Sequence, residues 1–263
     1  MAADLVGIGS RLESSDATVP RVLSRFEEAS PELLNARLLL QRTDRKYLLA
    51  RRDLDDLLTR LAGDYRVLRS AGHLMASYRT VYFDTPELRT FEDHRRDRRP
   101  RCKVRIRHHL DRALSFVEVK CKGRDGRTSK ARVERPFGCE ALDSDARRFV
   151  DRHCAIGADR LAPVLALEFR RVTLVGERVD ERMTIDWELR IGRGVTAECL
   201  PDVAIVEVKQ PRYSNRAPSV RTLRAMHVQE RGISKYCIAL TRLAPVRPHA
   251  FRPVLRKMEQ LSA

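Results

Sequence analysis

The chain has 263 residues, 43% of them hydrophobic and 33% charged, which describes a folded globular protein and excludes a disordered one. Its 52 Lys and Arg against 36 Asp and Glu give a formal charge of +16 and a pI near 10.2. That imbalance calls for polyanionic company: nucleic acid, an acidic membrane surface or phosphate-rich small molecules. No apolar run approaches the length of a membrane span and no signal-peptide core opens the chain, so the expectation is a soluble, cytoplasmic protein without a span of its own.

Residues 1–35 read as an N-terminal segment, loose at "SRLESSDATVP" and helical at "RVLSRFEEAS". The main domain is placed at 36–243. "RRDLDDLLTRLA" carries Leu54, Leu57, Leu58 and Leu61 at helical spacing. "SYRTVYFDT" reads as a strand ending in a turn, and the charge run "FEDHRRDRRPR" as a loop that, beside a binding site, would attract an anionic substrate. "CKVRIRHH" and "ALSFVEVKCK" follow as strands, then a hairpin turn at Asp125-Gly126 and the returning strand "TSKARVERP". "EALDSDARRFVDRHC" is helical. "PVLALEFRRVTLV", "ERMTIDWELRI", "VTAECL" and "DVAIVEVKQ" are four more strands, Pro218 opens a helix to about Gln229, and "SKYCIALTRL" reads as a closing strand. Residues 244–263 read as a Pro-containing basic tail.

Six cysteines are scattered without a C-x-x-C pair or zinc spacing. Cys102, Cys121 and Cys237 fall in strand-like segments, where a reduced Cys acts as a small apolar residue; reducing surroundings and no structural metal are expected.

One pattern recurs along these strands. Lys103, Arg105 and Arg107 share a face opposite Val104 and Ile106; Glu118, Lys120 and Lys122 oppose Val117, Val119 and Cys121. Lys130 and Arg132, Arg182 and Asp186, and Glu207 and Lys209 repeat the alternation. A half-buried antiparallel sheet accounts for any one strand. Repetition across at least five strands, with the polar face mostly cationic, points to a sheet whose charged face awaits an anion. Cations two residues apart on a strand are spaced roughly 6.5 Å, which suits every second phosphate of a phosphate chain. Aromatics for base stacking are few, so nucleic acid is not expected as the specific partner.

The ordered set "RKYLL", "YRTVYFDT", "KVRIR", "VEVKCK", "SKARVER", "EFRR", "MTIDWEL", "VEVK" and "SKY" resembles the VTC (vacuolar transporter chaperone) domain, the polyphosphate polymerase branch of the triphosphate tunnel enzymes, from about Arg42 to Leu240. The resemblance implies an α+β fold: a closed antiparallel β-barrel, the triphosphate tunnel, with helices packed outside. It implies phosphate binding by Lys46, Arg105, Arg107, Lys120, Lys130, Arg171, Arg182, Lys209, Ser234 and Lys235, with Lys235, Lys209 and Arg171 as the catalytic set. Mn²⁺ or Mg²⁺ would sit on Glu207, and Glu118 would either help that ion or pin a neighbouring cation. Asp186 and Glu188 read better as salt-bridge partners than as metal ligands. Two positions depart from the family pattern: Phe169 replaces a Tyr and Ala239 a Gly.

The activity so implied is transfer of the terminal phosphate of ATP to a growing polyphosphate. This chemistry needs a neutralised, in-line phosphate chain and no Ser-His-Asp or Cys-His set. The alternatives are a metal-dependent triphosphatase working on the same face and a non-catalytic polyphosphate-binding domain. A membrane-protein partner that moves the product is compatible with the resemblance.

Overall fold

The computed structural model describes residues 18–39 and 42–262; of the loose stretch expected at residues 10–20, residues 10–17 lie outside them and 18–20 are helical. Two short helices come first, α1 (Thr18–Leu23) and α2 (Pro31–Ala36), the second started by Ser30, whose hydroxyl accepts from the Leu33 N–H. Strand β1 (Thr43–Ala50) leads into α3 (Leu54–Leu61), whose four leucines are all buried, then β2 (Tyr65–Val67) and β3 (Ala76–Asp84). Helix α4 (Arg89–Arg95) precedes β4 (Arg101–His109), β5 (Leu114–Lys122) and β6 (Thr128–Arg135). Helix α5 (Ser144–His153) is capped by Asp143, which accepts from Ala146 N–H, and is followed by β7 (Ala162–Gly176), β8 (Arg182–Arg193), β9 (Thr196–Leu200) and β10 (Val203–Gln210). The chain closes with α6 (Pro218–Ala225), α7 (Lys235–Leu243) and α8 (Arg252–Ser262).

Among the described residues all ten strands belong to one antiparallel sheet in the order β1-β10-β8-β7-β3-β4-β5-β6, with β2 added to β7 and β9 to β8. Its outer face is covered in two patches. Tyr47, Leu49, Met183, Ile185, Trp187 and Val206 pack on α1, α3 and α6. Val81, Phe83, Val104, Ile106, Val117 and Val119 pack on α5. The residues between them in each strand turn to the opposite, inner face, as the period of two requires.

The expected closed barrel with helices outside is corrected in two respects. The strands β1 and β6 end the hydrogen-bonded path and are not paired with each other, so the sheet is not closed. It does bend: Lys120 on β5 interacts electrostatically with Lys46 and Asp44 on β1. Second, α7 lies against the inner face. Tyr236, Ile238, Ala239 and Leu240 pack with Leu48, Leu167, Phe169, Leu189, Ile191 and Ile205, all on the inner side of their strands. The inner face is therefore apolar where α7 fills it and cationic beyond.

Four local expectations also change. "SKYCIALTRL" is a helix, not a strand; Ser234 caps it by accepting from the Cys237 N–H at 3.3 Å. The charge run is helical over its first part, because the buried Asp84 carboxylate accepts from Thr90 and Phe91 N–H at the start of α4. The residues read as a basic tail include α8, docked through Val254 and Met258 beside Phe251. Cys102 and Cys121, expected reduced, form a disulfide, because β4 and β5 place them directly opposite with Cα atoms 4.1 Å apart. Among the described residues no helix is long and apolar enough to cross a membrane.

Candidate functional site

The inner face carries its charges in register. Lys46 faces Glu207 across β1 and β10, and Lys209 faces Arg182 across β10 and β8. Lys103, Lys120 and Lys130 form a row across β4, β5 and β6, and Arg105, Glu118 and Arg132 form the next. Arg171 stands beside Asp186 on β7 and β8. The structure thus brings the strand residues expected to hold phosphate or metal to one surface, α7 adds Ser234 and Lys235 at its N-terminus, and Glu188 alone of the charged residues named on β8 is turned away.

Three carboxylates organise these cations. Asp186, only 2% exposed, receives Nη2 of Arg171 at 2.7 Å and the ammonium of Lys235. Glu118, 4% exposed, receives Nη2 of Arg105 at 2.6 Å on one oxygen and Lys130 on the other. Glu207 lies 2.8 Å from Lys209 and 3.6 Å from Lys46. Burial pushes each carboxyl up, but the cations win and hold all three below the usual carboxylate range: Arg105, Arg107 and Lys130 at Glu118, Arg171 and Lys235 at Asp186, Lys209 and Lys46 at Glu207. Glu188 pairs with Arg170 at 3.1 Å.

Lys103 and Arg107 have no carboxylate in ion-pair contact among the described residues. Lys103 donates to the Ser234 hydroxyl at 2.8 Å, and burial, with Lys46 and Lys120 nearby, brings its pKa down to about 8. Arg107 donates to the Thr80 hydroxyl at 3.3 Å, and burial with the charge of Arg105 brings it down to about 10. Lys209 and Lys235, which do have carboxylate partners in Glu207 and Asp186, are lowered first by burial as well. The charged forms of Lys103 and Arg107 are held at a cost that an anion would remove.

Aromatic rings provide the remaining compensation. Phe169 lies 4.9 Å from Lys235 Nζ and 5.2 and 5.7 Å from the guanidinium carbons of Arg171 and Arg107; Tyr78 stacks on it and faces the same two arginines. Phe169 therefore supports cations without the hydroxyl of the family's Tyr. Tyr78, Tyr82 and Thr80 were not among the residues selected from sequence, and Lys103, though placed on the cationic face, was not carried into the phosphate-binding set. Their signal was available, since each alternates in phase with Arg105 and Arg107 once β3 and β4 are paired.

A divalent ion of the Mg²⁺ type takes one or two carboxylates and completes its shell with phosphate oxygens and water. Among the described residues no three His, Cys, Asp or Glu converge as a metal cluster. Glu207, ionised and 20% exposed, fits as a single carboxylate contact. Glu118 fits less well: it is 4% exposed with both oxygens hydrogen-bonded by Arg105 and Lys130, whereas Oε1 of Glu207 has only Lys46 at 3.6 Å.

Fold and site together define an α+β protein whose antiparallel sheet bends around a cation-lined inner face. The VTC domain family model matches residues 41–244, most of the chain, and the protein belongs to that family. A search of curated proteins gives no match. Similar solved structures include a Bacillus halodurans protein described as an adenylate cyclase candidate (14% identity, covering 77% of this chain and 96% of that one, TM-score 0.46). Another is an adenylyl cyclase candidate from Hippeastrum with a dominant triphosphatase activity (16% identity, 79% and 98% covered, TM-score 0.44). A third is a Pyrococcus horikoshii protein (15% identity, 76% and 96% covered, TM-score 0.40).

Proposed function

We propose that the protein transfers the terminal phosphate of ATP to the end of an inorganic polyphosphate chain lying along the inner face. The observation that carries this reading, alongside family membership, is the convergence there of Lys46, Arg105, Arg107, Lys120, Lys130, Arg171, Arg182, Lys209 and Lys235 around few carboxylates. In the reaction a terminal oxygen of the acceptor phosphate bonds to the γ-phosphorus, the bond from that phosphorus to the β,γ-bridging oxygen breaks, and ADP leaves with the electron pair. Lys235, Arg171 and Lys209 neutralise the charge that spreads over the transferred group, with Ser234 beside Lys235 holding the terminal phosphate. A Mn²⁺ or Mg²⁺ ion at Glu207 would neutralise further phosphate charge.

The choice of a phosphate acceptor over water has its own support. A phosphate oxygen is already an anion at neutral pH, so no base is needed, whereas water must lose a proton. Glu118, Asp186 and Glu207 are all held at low pKa, and burial lowers His94 to about 3 and His109 to about 4, which makes each of them a weak base.

The test is incubation of the purified chain with ATP and Mn²⁺ or Mg²⁺. Long-chain polyphosphate and ADP are expected; free phosphate as the sole phosphorus product would replace the polymerase with the triphosphatase. Arg107→Gln, which leaves no carboxylate orphaned, is expected to abolish most of the rise in melting temperature that inorganic triphosphate gives the native protein. An unchanged rise would remove the inner face from the mechanism.

A further inference from the structure

The charge run left over by the sequence reading does not stand alone. A Cβ placed on Gly126, in the β5–β6 turn, would lie 3.3 Å from Arg99 Nη1, so the segment before β4 rests on the turn after β5. The two segments merge Arg98, Arg99, Arg101, Lys122, Arg124 and Arg127 into one surface. Its carboxylates are fewer: Asp93, Asp97 and Asp125. Several of the pairs are long, 3.8 Å for Arg98–Asp93, 3.6 Å for Arg99–Asp97 and 3.7 Å for Arg127–Asp125, and Arg124 has no acidic partner among the described residues. Arg98 is 58% exposed and Arg127 91%. Exposed pairs of this kind contribute little and exchange readily for a better anion.

This surface continues the charged rows of the inner face. Arg101 pairs in register with Lys122 at the strand ends, one step beyond the Lys103–Lys120–Lys130 row, and both stand on the inner side of their strands. The β5–β6 side is also the more open one, with Lys120 and Lys130 exposed. A linear polyanion on the Lys103–Lys120–Lys130 row thus meets forked guanidinium donors on leaving the sheet, the geometry that suits phosphate oxygens.

We propose that the surface formed by Arg98, Arg99, Lys122, Arg124 and Arg127 is an external track for long-chain polyphosphate, continuous with the inner face; the occupant rests on the polymerase reading above. A triphosphate held on the inner face is too short to use the track, whereas a long chain occupies both.

The experiment compares the full chain with an Arg98→Gln/Arg124→Gln/Arg127→Gln variant, all three positions exposed and on loops. Affinity for long-chain polyphosphate and for inorganic triphosphate is measured in each. The variant is expected to lose about tenfold in long-chain affinity, the middle of the range for three exposed ion pairs, and to keep its triphosphate affinity. Unchanged long-chain affinity overturns the track, as does an equal loss for both ligands, which would place the effect on the inner face. A single-stranded DNA oligonucleotide binding the native surface as tightly as polyphosphate, and weakened equally in the variant, overturns polyphosphate as the occupant. A native protein that binds long chains through these arginines but makes none from ATP refutes the polymerase and upholds the track.

Discussion

Two buried carboxylates sit on opposite walls of the inner face, each between two cations, yet they differ in what they hold together. Asp186 joins Arg171 of β7 to Lys235 of α7, so it fastens the helix to the sheet, and the two cations are only 15% and 16% exposed. Glu118 joins Arg105 and Lys130, both on strands, and Lys130 is 42% exposed. The same motif is an internal anchor on one wall and a partly wet clamp on the other. Cations around an anchor are fixed, whereas those around the clamp can turn toward a ligand with little loss.

The largest effect should come from Asp186→Asn, which keeps the shape but leaves two half-buried cations uncompensated. About 4 kcal/mol is expected, or about 10 °C in melting temperature for a chain of this size, measured by thermal unfolding. Glu118→Gln should cost less, about 2 kcal/mol, because Lys130 can be solvated and Arg105 keeps its hydrogen bond to Tyr82 at 3.3 Å. Inorganic triphosphate should recover a larger share of the Glu118→Gln deficit than of the Asp186→Asn one, because losing Asp186 also loosens α7 from the sheet. Equal deficits, equally recovered, would erase the distinction between the walls.

A subtler effect concerns pH. Lys103 has a folded pKa of about 8, below its unfolded value of about 10.4. Its charged form therefore penalises the fold below pH 8, and that penalty is lifted as pH rises from about 8 to about 10. Triphosphate favours the charged form, so its affinity should fall across the same interval. Lys103→Met should flatten both trends; a native-like pH profile in that variant would assign them to another group.

The strands, and the face on which Arg105, Arg107, Lys120 and Lys209 stand, were legible in the sequence because alternation is a local property that any pairing preserves. The role of α7 was not. Cys237, Ile238, Ala239 and Leu240 are all buried, so the segment shows no polar stripe, and a helix enclosed on every side reads like a strand. The openness of the sheet depends on whether β1 and β6 meet, which neither strand records. Cys102 and Cys121 could be joined only once the β4–β5 register was known. Phe169 read as a lost hydroxyl and proves to be a platform under three cations, a role set by tertiary neighbours alone.

One backbone irregularity divides the interior. Between the pairs Glu168–Arg190 and Arg170–Trp187, β8 spends one residue more than β7, with Glu188 at φ +52°. Before this bulge the even-numbered residues Arg182, Thr184 and Asp186 face inward; after it Leu189 and Ile191 do, and Glu188 and Arg190 are turned out. A single extra residue thus draws the frontier between the hydrophilic chamber and its greasy stopper. The depth of that chamber is encoded as a position along the backbone, and sliding the bulge by two residues would reset it by about 6–7 Å without altering a single charged group.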